Sequence, residues 1–280
     1  MLLKMRHVNC NLCSSKNYSV LFKVGNSSVV KCDNCGFKFL NPIPVERDLM
    51  KYYSNLSSSK IELLDKSPVE YEQSLQRIKL IEIYVKKGKI LDVGSGCSNF
   101  VVIAKERGWN VSAVEIREES KRLLKKFLIK SVEEKKIENN YFNCITLSQV
   151  LEHVSDPSKK LKLYYKKLIK GGIVVIEVPN IESLGFKLLK NKWYFIMNPQ
   201  HISYFSKKTL TKMLEKAGFE IIKTEYLGAV FASDLAGGGK VKKEYVFNLY
   251  RFFKIPINLM MKIIRKAGLS DTMRIVAKKP

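Results

Sequence analysis

A chain of 280 residues with 46% hydrophobic side chains can bury a full core and is too apolar to be intrinsically disordered. Its formal net charge of +24 favours polyanions or anionic surfaces as neighbours, but the charge is spread along the chain without an arginine-rich tract, which counts against nucleic acid. There is no basic leader with an apolar core and cleavage site, and no apolar run nears the ~18 residues of a membrane span, so the expectation is a cytoplasmic protein.

The first signal is a pair of Cys-x-x-Cys turns, Cys10-Asn11-Leu12-Cys13 and Cys32-Asp33-Asn34-Cys35, the second followed by Gly36. Four thiolates so spaced close a tetrahedral zinc site of the ribbon type, with no position left open, so the expected ion is structural. Two disulfides would need an oxidising compartment. Asn41-Pro42-Ile43-Pro44 ends this module in extended chain. Residues 1–44 are therefore read as a zinc ribbon and 45–87 as a helical cap or linker. The helices are expected over residues 45–53 and 68–86, the second with Leu75, Ile78, Leu80, Ile81 and Val85 on its apolar face. Tyr52, Tyr53 and Tyr71 either pack in the helical core or line a pocket roof.

The stretch Lys89-Ile90-Leu91-Asp92-Val93-Gly94-Ser95-Gly96 runs from a buried strand into a Gly-x-Gly turn, and residues 100–105 continue with helical spacing. Such a turn presents backbone N–H groups and the positive end of a helix dipole to a ligand above the sheet. Residues 111–115 form the next strand and end in Glu115, whose carboxylate is placed to accept hydrogen bonds from both hydroxyls of a ribose. Asn99 occupies the position where a dinucleotide fingerprint needs its third glycine, which argues against a pyrophosphate.

Further on, a basic amphipathic helix over residues 118–127 precedes a strand over 142–147. Asp156-Pro157 caps a helix expected to run to residue 169, where Gly171-Gly172 would stop it, and residues 173–180 read as a fully buried strand. Ser206 opens a helix that Gly218 ends, and residues 219–226 and 273–278 read as the last two strands. Strands alternating with helices imply a mostly parallel sheet with ligands at the carboxyl ends of the strands. Residues 237–268 interrupt the pattern as a helical insertion. Its basic and apolar residues over 241–266 suit either a lid over a pocket or peripheral contact with an anionic membrane. Among the three histidines, His153 and His201 fall in loops expected above the ligand, where an imidazole serves as a general base.

Asp92, Gly94 and Gly96, with Ser98 in place of a third glycine, resemble motif I of the class I S-adenosylmethionine (SAM)-dependent methyltransferases. The run from Thr146 to Pro157, which contains Gln149-Val150-Leu151-Glu152-His153, is similar to the branch holding the ubiquinone-biosynthesis O-methyltransferases and the sugar- and polysaccharide-tailoring enzymes. So is the stretch Pro199-Gln200-His201-Ile202-Ser203-Tyr204-Phe205. A four-Cys module ahead of such a domain resembles the sugar C-methyltransferases. The resemblance implies an α/β fold: a Rossmann-like doubly wound seven-stranded sheet, last strand antiparallel, over residues 88–280. It further implies SAM held by Asp92, Gly94, Gly96, Glu115 and Gln149, beside zinc on Cys10, Cys13, Cys32 and Cys35. Some quinol-modifying relatives bind a divalent metal through a Glu at the position of Gln149, and this chain lacks that ligand. The expected acceptor is a small molecule, either a sugar (nucleotide-linked or in a surface polysaccharide) or a lipid-linked intermediate. The alternatives are an RNA methyltransferase, for which this chain lacks an Asn-Pro-Pro-Tyr-like motif, and a non-catalytic zinc-ribbon binding protein.

Overall fold

A seven-stranded sheet, a four-stranded sheet, a short antiparallel pair of β1 (Met5–Arg6) with β5 (Ile43–Pro44) and the helices around them make up the computed structural model, which describes residues 4–55, 68–96, 99–197, 200–228 and 257–280. The larger sheet has seven strands: β6 (Lys89–Val93), β7 (Asn110–Val114), β8 (Lys130–Ser131), β9 (Phe142–Ser148), β10 (Leu168–Pro179), β12 (Glu220–Leu227) and β13 (Thr272–Lys278). Their spatial order is β12-β13-β10-β9-β6-β7-β8. β6 pairs in parallel with β7 and β9, and β9 with β10, while β13 inserts antiparallel between β10 and β12. This is the expected Rossmann-like sheet. The crossovers are α3 (Asn99–Glu106), α4 (Glu118–Lys126), α5 (Pro157–Lys167) and α8 (Lys207–Lys216), with α2 (Pro68–Tyr84) ahead of β6.

Local chemistry sets several helix ends. The Asp156 side chain accepts from the Lys159 N–H with Pro157 at the first helical position. Ser206 and Thr209 form a reciprocal capping box. Ile78 and Ile81 of α2 are fully buried against α3 and the sheet, whereas Tyr71 is exposed, so it does not pack in the core.

One boundary differs from expectation. α5 ends at Lys167, and β10 starts at Leu168 and runs through the glycine pair that was expected to stop the helix. Leu168 already pairs with Phe142, and the register shifts between Leu168 and Ile173. Glycine fits this bulge because a Cβ on Gly172 would lie 3.0 Å from the Ile169 carbonyl oxygen and 3.1 Å from that of Asn143.

The smaller sheet belongs to the four-Cys region: β2 (Tyr18–Val24), β3 (Ser27–Cys32) and β4 (Lys38–Asn41) form an antiparallel meander. Its fourth strand is β11 (Ser203–Tyr204), which arrives from the far end of the chain and pairs with β4. The Leu40 N–H also donates to the Ile202 carbonyl at 2.9 Å. Phe37 packs on Phe205 with ring centroids 5.5 Å apart, both rings fully buried. Burying a side chain of that size contributes roughly 1.5–3 kcal/mol. Cys10, Leu12, Phe37 and Phe39 thus share one core with Leu91, Ile145 and Phe205.

Most of the expected insertion lies outside the described residues. Its end is helix α9 (Ile257–Lys266). Among the described residues no helix is long and apolar enough to cross a membrane.

Candidate active site

The glycine turn sits at the carboxyl end of β6. Gly94 and Gly96 have φ of +66° and +55°, the left-handed region that glycine enters without steric cost. A Cβ on Gly94 would also come within 2.7 Å of Val150 Cγ2. The Gly96 N–H donates to Glu115 Oε2 at 2.7 Å, and the Ile116 and Arg117 N–H groups donate to Oε1 at 2.7 and 2.9 Å. These bonds fix the carboxylate across the turn, fill both lone-pair sites of Oε1 and leave one on Oε2 for a ligand hydroxyl. Ser95 Oγ, within the turn, is buried and has no hydrogen-bond partner among the described residues. A glycine turn, a carboxylate fixed beside it and an unpartnered buried hydroxyl fit a polar nucleoside such as the adenosyl group of SAM.

Below the turn, Asp92 is fully buried and accepts from Thr146 Oγ1 at 2.5 Å. Burial pushes its carboxyl up to about 6, against the pull of Arg77 and the Thr146 bond. Arg77 comes from α2. Its Nε donates to Glu177 Oε1 at 3.1 Å, and its Nη2 donates to Ser148 Oγ at 3.0 Å. The guanidinium lies 4.8 Å from the centre of the Phe100 ring. Arg274 Nε reaches the same Glu177 oxygen at 2.5 Å. Burial alone would raise Glu177, but the two arginines outweigh it and hold the group near 2. This network pins α2, β9, β10 and β13 together directly beneath the site. Sequence reading missed it, because its members are far apart in the chain and an isolated Arg or Glu has no periodic signature.

Gln149 stands exposed at the tip of β9 with φ of +54°, and its N–H donates to the Glu177 carbonyl at 2.8 Å. A left-handed non-glycine residue costs about 1–3 kcal/mol and here is held by its surroundings. Asn143 lies at the opposite end of β9, where its Oδ1 accepts from the Lys89 N–H, so its role is structural.

The structure brings His153 and His201 together: their ring centroids are 4.6 Å apart, and Phe195 stacks on His201. Burial lowers His153 to about 4, and burial with the neighbouring His153 lowers His201 to about 3, so both rings are neutral at pH 7. Glu152, which sequence reading passed over, is also here and is fully buried. Burial raises its carboxyl to about 8. Its place in the apolar run Val150-Leu151-Glu152 was the available signal.

The four cysteines converge as expected. Cys10 and Cys35 sulfurs are 3.5 Å apart, as are those of Cys13 and Cys32, and all four lie within 4.8 Å of one another. Burial raises the Cys10 and Cys35 thiols, but at Cys32 the N–H groups of Cys35 and Asn34 offset it and bring the group to about 7. The cluster is compatible with a tetrahedral zinc ion.

The module leans on the loops that carry the histidines. Asn11 Nδ2 donates to the Ser155 carbonyl at 3.0 Å, Ser158 Oγ donates to the Asn11 carbonyl at 2.5 Å, and the Ile202 N–H donates to the Glu152 carbonyl at 2.9 Å.

A family model described as a methyltransferase domain matches residues 67–224. An uncharacterized protein of Methanocaldococcus jannaschii is 23% identical over 164 residues, which cover 57% of this chain and 76% of that protein. Among solved structures, a SAM-dependent methyltransferase from Archaeoglobus fulgidus matches with a TM-score of 0.52 at 22% identity, over 75% of this chain and 94% of its own. Phosphoethanolamine N-methyltransferase 2 of Haemonchus contortus, in complex with SAM, gives 0.52 at 17% identity, over 75% of this chain and 52% of its own. At such identities the structural likeness speaks for the fold.

Proposed function

This chain belongs to the methyltransferase-domain family and is a class I SAM-dependent methyltransferase; we propose that it methylates a small acceptor, a sugar (nucleotide-linked or in a surface polysaccharide) or a lipid-linked intermediate. The observation that carries this reading is the strand β11, which joins the four-Cys module to the loop of His201 and so supports a role for the module on the acceptor side. Asp92, Gly94, Gly96 and Glu115 are the proposed SAM-holding residues, with Gln149 beside the sulfonium. Cys10, Cys13, Cys32 and Cys35 hold a structural zinc ion. His201 and His153 activate the acceptor: a neutral imidazole takes a proton from it or helps hold a cation that polarises it. The transfer itself asks mainly for alignment and a dry pocket.

Native mass spectrometry of the untreated chain, followed by methyl-labelled SAM with nucleotide-linked sugars, lipid-linked sugars and RNA, tests this reading. Zinc, retained SAM or its demethylated product, and label on a sugar or lipid carrier are expected. Label on RNA, with affinity that collapses as salt rises, would establish the RNA reading instead.

Helix α9 supports a second property. It turns Met261 and Ile264 inward and leaves Leu259 and Ile263 exposed beside Lys262 and Lys266. We propose peripheral contact with an anionic membrane through residues 241–266, in which case the chain sediments with anionic vesicles and not with zwitterionic ones.

A further inference from the structure

Glu152, His153 and His201 form a second cluster of ligand-type side chains, separate from the four cysteines. One carboxylate oxygen and one nitrogen from each imidazole lie within 4.8 Å of one another. That spread suits groups that share an ion. Glu152 is 1% exposed, and neither carboxylate oxygen has a hydrogen-bond partner among the described residues. An unpartnered buried carboxyl costs several kcal/mol unless something compensates it. The three residues come from two segments locked together by the Ile202–Glu152 backbone bond, and the His153 ring is further fixed by its Nδ1 contact with the Gln200 carbonyl at 3.2 Å.

We infer that Glu152, His153 and His201 bind a divalent transition-metal ion on the acceptor side of the site. Two imidazoles and one carboxylate select zinc, iron(II) or manganese(II) over magnesium and calcium, which prefer all-oxygen shells. Three protein ligands leave one or more coordination positions for water or for an acceptor oxygen. Gln149 takes no part. The third ligand comes from His201, in a segment far along the chain from the Glu-His pair. The inference rests on the acceptor-side role proposed above for the two histidines, and it names the cation as the means of activation.

The test uses the untagged full chain with its thiol site filled by one equivalent of zinc, titrated with cobalt(II) in the absence of SAM and acceptor. One further cobalt ion per chain is expected, with weak visible d–d bands and no thiolate charge-transfer band. Glu152→Gln and His201→Gln each weaken that binding by about tenfold or more, while His7→Gln, at an exposed histidine, leaves it unchanged. Calorimetric SAM binding and circular dichroism confirm that the variants are folded. If one of them fails to fold, the cobalt spectrum of the wild type decides alone. Absence of a second cobalt ion, thiolate bands on that ion, or unchanged affinity in both variants overturns the inference. Because no methyl transfer is read, a failed metal site leaves the methyltransferase reading standing, and a failed acceptor screen leaves the metal site standing.

Discussion

The two halves of the site are built differently. The cofactor half is nearly contiguous: β6, the glycine turn, α3, β7 and Glu115 follow one another, and each group is placed by the strand or turn it belongs to. The proposed acceptor half is assembled from three distant places, the Glu152-His153 turn, the His201 segment and the four-Cys module, and is held by pairings such as β4 with β11. Local construction makes the first half robust to changes elsewhere. Long-range construction makes the second depend on the metal module.

Removing the zinc proposed for the four cysteines is the strongest way to separate them. Structural zinc in a small module contributes on the order of 10 kcal/mol to its folding. Chelation should therefore abolish methyl transfer while calorimetric SAM binding stays within a few-fold. Equal loss of both would show that the halves are not independent.

Next in size is the buried network under both halves. Arg274→Met leaves Glu177 with one fewer cation and should cost about 3–5 kcal/mol in urea unfolding. The same network sets an acid limit. Glu177 falls from its ordinary 4.5 to about 2 in the folded state, so its stabilisation is complete above about pH 4.5 and is lost as pH drops toward 2. The urea midpoint measured against pH should decline over that window, and the decline should be smaller in Arg274→Met.

On the cofactor half alone, Glu115→Gln removes a charge-assisted acceptor and should weaken SAM binding by about 1.5–3 kcal/mol, and it should also lower the melting temperature because the amide NH2 faces a backbone N–H that the carboxylate had bonded. The smallest effect belongs to a cap: Ser206→Ala should cost about 1 kcal/mol and leave SAM affinity untouched.

The same contrast decides what the sequence could reveal. The glycine turn, Glu115, the Asp156 and Ser206 caps and the cysteine pairs are short-range patterns, and each occurs where the residues indicate. The acceptor half is legible only in part. His153 and His201 stand out because histidine is scarce, but their contact depends on β11, a two-residue strand that exists because β4 offers an edge. Lys130–Ser131 is equally short and lacks alternation. Gly171-Gly172 resembles a helix stop until the Leu168–Phe142 pairing turns it into a bulge. Arg77 and Glu177 meet from positions 100 residues apart in the chain, where no spacing rule applies.

The pairing of β11 with β4 also orders events during synthesis. The cysteine module leaves the ribosome before the sheet domain that follows it, and β4 keeps an open edge until Ser203 and Tyr204 have been made and that domain has begun to fold. Until then β4 is paired on one side only, with β3, and its free edge is able to join another nascent chain. The late arrival of two residues therefore completes a sheet whose other strands were made about 160 residues earlier.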